Sequence, residues 1–222
     1  MGAKRRTSRS ARVNTARLIE LRKNRGWTQL QLADESGYSE RVILKAEAGE
    51  PVALATIAAL AQTLSTPQSP VAVADLLRST IDVAREFIVL LYRHQAETVQ
   101  NTRHLLDEDV EFHVHGEEAG LPFAGRYRGL EAVARMFQTF FSVIETPADH
   151  DPLPHYQFFC QQDDVVAWGL AYHRPKGMPN APPMPVTYLI RFRNDKIVYF
   201  EDRFDTTHGG QLLGTLPVHG KK

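Results

Sequence analysis

TQLQLADESGYSERVILKAE, residues 28–47, holds two short helical patterns on either side of Ser36-Gly37-Tyr38. Thr28 is placed to cap the first, whose run ends at Ala33, and Ser39 to cap the second, which runs to Glu47 and is closed by Gly49 and Pro51. Leu32 and Ala33 on one segment, and Val42, Ile43 and Ala46 on the other, supply the apolar sides that lock two helices together. Thr28, Gln29, Ser39, Glu40, Arg41 and Lys45 are left for the outside.

Working outward, Leu18, Leu21 and Trp27 mark a preceding helix that stops at Asn24-Arg25-Gly26. Ile57, Leu60, Ala61 and Leu64 repeat at i, i+3, i+4, i+7 in a following helix from Thr56, and Val71–Leu77 adds a short fifth beyond the loop STPQSP. From Ile81 the pattern changes. Helical periodicity in Ile81, Ala84, Ile88 and Leu91 continues into 96–106. The segment 109–115 then alternates as a strand, and Leu130–Phe141 returns to helix. Tyr156–Gln161, Val165–His173, Val186–Arg193 and Lys196–Asp205 read as strands, with turns at Asp163-Asp164 and Asn194-Asp195. Pro175–Pro185 reads as a long loop.

The expected organisation is therefore two domains: an all-α bundle, then an α+β domain with a curved, mostly antiparallel sheet. The boundaries are an unstructured basic arm over 1–11, the bundle over 12–79, the α+β domain over 80–210 and a flexible tail over 211–222. Charge agrees with this division. Twenty-six basic and 26 acidic side chains cancel over 222 residues, but 1–79 carries 12 against 7 and the remainder 14 against 19. Such asymmetry points the first half toward an anion such as nucleic acid. A single cysteine, Cys160, excludes an internal disulfide framework. The longest apolar run, Phe87–Tyr92, is too short to span a bilayer, so no membrane partner is expected. No apolar core follows the basic start as a secretory signal requires, and a cytoplasmic protein is expected.

Two helices about a glycine-containing turn fit a helix-turn-helix, in which the second helix projects polar side chains into the major groove. The segment from Leu18 to Leu64, with its TQxxLA string, glycine turn and ExG ending at Glu47 and Gly49, resembles the Cro/repressor-type (XRE) family. The resemblance implies double-stranded operator DNA as partner, with Gln29 near the phosphate backbone and Glu40, Arg41, Leu44 and Lys45 facing the groove. It also implies an internal ion pair between Arg22 and Glu47. Two half-sites at fixed spacing call for a homodimer. The basic arm's Lys4, Arg5, Arg6, Arg9 and Arg12 read equally as phosphate or minor-groove contacts and as a solvated tail.

In the acidic half, DVEFHV (109–114), PFAGRYRGLEAVARMFQTFF (122–141) and YFEDRFD (199–205) resemble the SnoaL-like superfamily, which shares its nuclear transport factor-like fold with ketosteroid isomerases and limonene epoxide hydrolases. The resemblance implies a sheet wrapped around an apolar cone, often dimeric. Alternation in the last strand puts Val198, Phe200, Asp202 and Phe204 on one face; if that face lines the cone, the lone carboxylate is desolvated and suits acid–base chemistry, the alternative being a structural or ligand-orienting carboxylate. Epoxide-hydrolase-like members carry a functional aspartate at this position, yet the accompanying Arg and Asp are missing from Val165–His173. Glu111, His113 and His115 share one strand face. His113 can act as a base or ligand contact beside Asp202, or be structural, and His-x-His spacing also suits a divalent metal. No fourth ligand stands at a telling spacing, and no metal ligand or cofactor is assigned. Tyr127, Phe141, Trp168, Tyr172, Tyr188 and Phe200 offer either a pocket for a small apolar or carboxylated ligand or plain core packing.

The expected function is a sequence-specific DNA-binding transcriptional regulator whose second domain dimerises and senses a small molecule. The alternatives are a SnoaL-like enzyme of cyclase, isomerase or hydratase type using Asp202, or a cone serving only as a dimerisation scaffold.

Overall fold

The computed structural model describes residues 10–147 and 150–217. The chain divides into two compact units between Ser79 and Thr80.

In the first unit, β1 (Ser10–Ala11) pairs antiparallel with β2 (Val52–Ala53), so the last two residues of the segment expected to be an unstructured arm are held in a ladder. Lys4, Arg5, Arg6 and Arg9 lie outside the described residues. Five helices follow: α1 (Thr15–Asn24), α2 (Gln29–Ser36), α3 (Glu40–Glu47), α4 (Leu54–Leu64) and α5 (Val73–Leu76). Asn14 caps α1 by accepting from the Arg17 N–H. Thr28 and Gln31 form a reciprocal capping box on α2, which extends to Ser36, one turn beyond the expected stop at Ala33. Gly37 ends that helix at φ +71°, a left-handed conformation in which a Cβ is strained. Leu18, Leu32, Ile43, Ile57, Leu60 and Leu76 are fully buried and form the centre of the bundle.

In the second unit, α6 (Thr80–His94) and α7 (Thr98–Thr102) are joined by a 3-10 turn over Gln95–Glu97. The single helix expected over 96–106 stops short because its last residue, Leu106, opens β3 (Leu106–Val114). Next come β4 (Gly125–Arg128), α8 (Leu130–Val143), β5 (Ile144–Glu145), β6 (Tyr156–Gln161), β7 (Asp164–Ala171), β8 (Arg174–Pro175), β9 (Met184–Arg193), β10 (Lys196–Phe204) and α9 (Thr206–Leu212). The main sheet is open, six-stranded and mixed, in the order β4-β3-β10-β9-β7-β6. Only β10 with β3 is a parallel pair; the other neighbours are antiparallel. Asn194 and Asp195 both take positive φ, as a tight hairpin turn between β9 and β10 requires.

One sheet face packs on α6 and α8 through Phe87, Ile88, Val133, Phe137, Phe112, Ile190 and Phe200. Burying a side chain such as Phe87 or Phe112 contributes about 1.5–3 kcal/mol. A register shift at Val198 interrupts β10, so Ile197 is buried although simple alternation assigns it to the same side as Tyr199. Gly169 has no room for a side chain: a Cβ there would lie 2.1 Å from the His155 carbonyl oxygen.

The segment from Gln211, expected to be a flexible tail, is ordered up to Pro217, the last described residue before the terminus. It continues α9 to Leu212, and Leu213 and Leu216 then pack on the core while Thr215 Oγ1 donates to the Ala119 carbonyl at 2.7 Å. The Gly209-Gly210 pair reads as a helix breaker, but it lets α9 approach closely. A Cβ on Gly209 would meet the Phe204 ring at 3.1 Å, and one on Gly210 would meet Leu216 at 2.9 Å.

Candidate functional site

Two sites follow from these elements, one in each unit. In the first unit, Leu32 and Ala33 of α2 pack with Ile43 and Ala46 of α3, which leaves the outer face of α3 to solvent. Glu40, Arg41 and Lys45 are exposed there, and Leu44 is 47% exposed in their midst. Lys45 is held only loosely, 3.9 Å from Glu50. Ser39 occupies the position before α3, and its hydroxyl makes no capping bond. Thr28 spends its hydroxyl on the α2 cap. Gln29 is partly turned inward, its Nε2 donating to Glu47 Oε2 at 2.7 Å.

Glu47 is the fixed point of this arrangement. It accepts from Arg22 Nε at 2.6 Å and Arg22 Nη2 at 3.0 Å, while Arg22 Nη1 donates to the Trp27 carbonyl at 2.8 Å. The hydrogen bonds to Glu47 hold the Arg22 guanidinium above its ordinary pKa, against the opposing effect of burial. A bidentate, desolvated pair of this kind fixes α3 against α1 and the start of α2.

In the second unit, the apolar sheet face and α8 enclose two adjoining cavities. The outer, with about 60 Å³ open to the centre of a water molecule, is lined by Leu121, Phe123, Phe140, His173, Met184, Tyr188, Asp202 and Phe204, by Pro175, Ala181 and Pro182 of the proline-rich loop, and by Gly209, Leu212 and Leu213 of the last helix and its end. The inner, of about 30 Å³, adds Phe112, Met136, Phe137 and Phe200. Phe140, His173, Tyr188 and Asp202 line both. Together they hold a few waters or a small ligand fragment.

Asp202 Oδ1 is closed off from solvent and has no hydrogen-bond partner. Burial pushes its pKa up to about 7. Burial, reinforced by His150, pushes His173 down to about 3, so its imidazole is neutral, and its Nδ1 also lacks a partner. Tyr188 stands opposite Asp202 in the β9–β10 register. Its hydroxyl ends a relay in which the Tyr172 N–H donates to Tyr92, Tyr92 and Tyr156 hydroxyls lie 3.3 Å apart, and Tyr156 donates to Tyr188 at 3.3 Å. Burial raises the Tyr188 pKa well above its ordinary value.

Several expected site residues fall elsewhere. His113 does not converge on Asp202: the β3–β10 register pairs His113 with Glu201 and Val114 with Asp202, so the two lie on opposite sheet faces. Trp168 is on the outer face and 53% exposed, because the small residues Ala167 and Ala171 take the inner side of β7. Tyr172 packs outside the cavity against the tilted rings of His150 and His155, at 4.2 and 4.6 Å between centroids. Tyr127 donates its hydroxyl toward the Phe123 and Ala124 carbonyls, and Phe141 packs behind His173 rather than on the cavity wall. Tyr188 and Phe200 do line the cavities. A carboxylated ligand would meet no counter-charge, since no lysine or arginine lines either cavity among the described residues. The wall residues missed include His173, on the small-residue face of Val165–His173 where alternation could have found it, Phe140 of α8, Met184 at the start of β9, and those of the proline-rich loop and α9.

Two family models match the chain: helix-turn-helix over residues 18–67 and SnoaL-like domain over residues 84–200. Among solved structures, the chain is similar to an NTF2-like protein of unknown function from Burkholderia pseudomallei, at 18% identity over 62% of this chain and 98% of that one, with a TM-score of 0.50. It is also similar to an NTF2-like protein from Burkholderia xenovorans, at 21% identity over 60% and 95% of the two chains, with a TM-score of 0.49. No curated protein sequence matches. Among the described residues, no helix is long and apolar enough to cross a membrane.

Proposed function

Because the chain belongs to the SnoaL-like domain family through residues 84–200 and carries a helix-turn-helix over 18–67, we propose that it is a dimeric transcriptional regulator whose second unit senses a small apolar molecule. The observation that carries this reading is the union in one chain of an exposed α3 face bearing Arg41, Leu44 and Lys45 with an apolar cavity around Asp202, His173 and Tyr188. Arg41 and Lys45 supply charge for phosphate or base edges, and Leu44 can meet a thymine methyl. Phe159, Trp168 and Leu170 support dimerisation, since all three are exposed on the sheet face opposite the cavity. The protein is expected to act in the cytoplasm, where its operator is.

The test is selection of operator sequences from random duplexes by the full-length protein, followed by titration of the best duplex. A palindromic site bound by two chains supports the reading. Indifferent binding to all duplexes, or none, overturns it. A second reading, an acid–base enzyme of isomerase or hydratase type, is favoured by one observation: Asp202 faces the cavity with an unpartnered oxygen beside Tyr188. Turnover of a cavity-sized substrate, lost on Asp202→Asn, would establish it.

A further inference from the structure

On the sheet face opposite the cavity, we propose that His113, His115 and Glu201 form a binding site for one divalent transition-metal ion, with zinc as the simplest occupant. The site is made by topology. His113 and His115 stand two residues apart on β3, so both rings leave the same side of the strand. The parallel pairing of β10 then brings Glu201 beside His113, from 86 residues away in sequence relative to His115. Glu111, two residues before His113, stands instead opposite Arg128 on β4.

One ligand atom from each of His113, His115 and Glu201 lies within 4.8 Å of the others. His115 Nε2 is 2.8 Å and His113 Nδ1 is 3.8 Å from Glu201 Oε1. Tetrahedral ligands on zinc stand about 3.4 Å apart at ordinary bond lengths, so these spacings lie to either side of the required value. The histidine nitrogens themselves lie within 4.8 Å of each other, so closing the set takes rotation of the imidazole rings about their side-chain bonds as well as small shifts of the carboxylate.

An independent observation marks the same point. His113 is only 8% exposed, and its Nδ1 is closed off from solvent with no hydrogen-bond partner. A buried ring nitrogen without a partner is costly, and a metal ion is a partner it can take. Around the set, Tyr199 donates to Glu201 Oε2 at 3.1 Å and orients the carboxylate from behind. A recess of about 400 Å³ bordered by His115, Glu117, Glu118 and Arg203 opens to solvent beside His115.

Arg203 is the competitor. Its Nε and Nη2 both donate to Glu201 Oε1, at 2.8 and 2.7 Å, while its side chain is 65% exposed. An exposed guanidinium can be displaced at little cost, and a divalent ion replaces its charge on the carboxylate. Arg126, paired with His113 across β4, adds positive charge that the ion must also overcome.

The test is calorimetric titration of the chelator-stripped full-length protein with zinc chloride, and separately with cobalt chloride to read the ligand-field spectrum. The expected result is one ion per chain. His113→Gln and Glu201→Gln should each weaken binding about tenfold or more, while Arg203→Gln should leave it unchanged or tighten it. A far-ultraviolet circular dichroism spectrum checks that each variant is folded, and the wild-type cobalt spectrum reports four- or five-coordination without any variant. Binding well below one ion per chain overturns the proposal. So does binding that survives both His113→Gln and Glu201→Gln, a six-coordinate cobalt spectrum of the aqua ion, or weakening by Arg203→Gln.

Discussion

Removing the Glu47 carboxylate should damage the first unit more than removing both halves of its ion pair. Glu47 accepts from Arg22 Nε, Arg22 Nη2 and Gln29 Nε2, and the Arg22 and Glu47 side chains are only 11% and 5% exposed. In Glu47→Ala the guanidinium keeps one bond, to the Trp27 carbonyl, and is left as a buried charge without its counter-ion. Breaking a buried pair from one side costs about 3–5 kcal/mol. Small domains have total stabilities near the lower end of roughly 5–15 kcal/mol, so the variant should stand close to unfolding at room temperature. The double change Arg22→Met with Glu47→Leu removes both charges, fills the volume and should cost about 2 kcal/mol or less. Urea denaturation followed by tryptophan fluorescence measures this, because the Trp27 carbonyl accepts from Arg22 of the pair and Trp168 is already half exposed. A single variant within about 1 kcal/mol of wild type would sink the reasoning, as would a double variant no more stable than the single one.

Three further outcomes are expected. Arg41→Ala should weaken operator binding by about 1–3 kcal/mol with relaxed sequence preference, whereas Lys45→Ala should weaken all duplexes alike and lower the salt slope by about one; mobility shifts at two salt concentrations separate them, and wild-type affinity in both would remove α3 as the reading helix. Gly169→Ala should destabilise the second unit by several kcal/mol, since the new methyl would overlap the His155 carbonyl at 2.1 Å; a melting temperature equal to wild type would contradict that packing. His173 is neutral in the fold, with its pKa near 3 against an ordinary value of 6.5. Its contribution is therefore fully present above pH 6.5 and is lost as pH falls toward 3. His173→Gln should gain about 2 kcal/mol relative to wild type between pH 6.5 and pH 4.5, and denaturation curves that keep a constant offset across that range would show that the ring is solvated.

The elements most legible in the sequence are those whose signals are local. Thr28, Gly37 and the apolar spacing of 56–64 each specify a cap, a stop or a face within a few residues, and α2, α3 and α4 follow them closely. The hairpin turn at Asn194-Asp195 is legible for the same reason. What could not be read depended on partners distant in sequence. Asp202 and His113 look like companions until the parallel pairing of β3 with β10 sets them on opposite faces. That pairing joins strands some 90 residues apart, and nothing in either strand states its register. Trp168 reads as a pocket wall or a core aromatic and is neither, because the inner side of β7 is made of small residues. Helix α9 contains Gly209 and Gly210, whose low helical propensity is outweighed by the close approach they allow to Phe204 and Leu216.

The same cavity bears on whether the second unit senses or catalyses. General acid–base work needs groups whose pKa values lie near the working pH, held within reach of one another. Of the polar side chains common to both cavities, His173 is too weak a base at a pKa near 3 to carry a proton at neutral pH, and burial raises the Tyr188 pKa well above its ordinary value, which keeps its hydroxyl a hydrogen-bonding group. Asp202 is thus left without a titrating companion, which suits orienting a ligand better than moving protons through a reaction. The walls point the same way. Pro175, Ala181 and Pro182 of the loop and Leu212 and Leu213 at the end of α9 wall the outer cavity, so a ligand that overfills it displaces a loop or a helix end. A ligand that binds one arrangement of those segments better than the other shifts their populations by its difference in affinity. A regulator requires a coupling of that kind, whereas an enzyme requires the same motion only to admit its substrate.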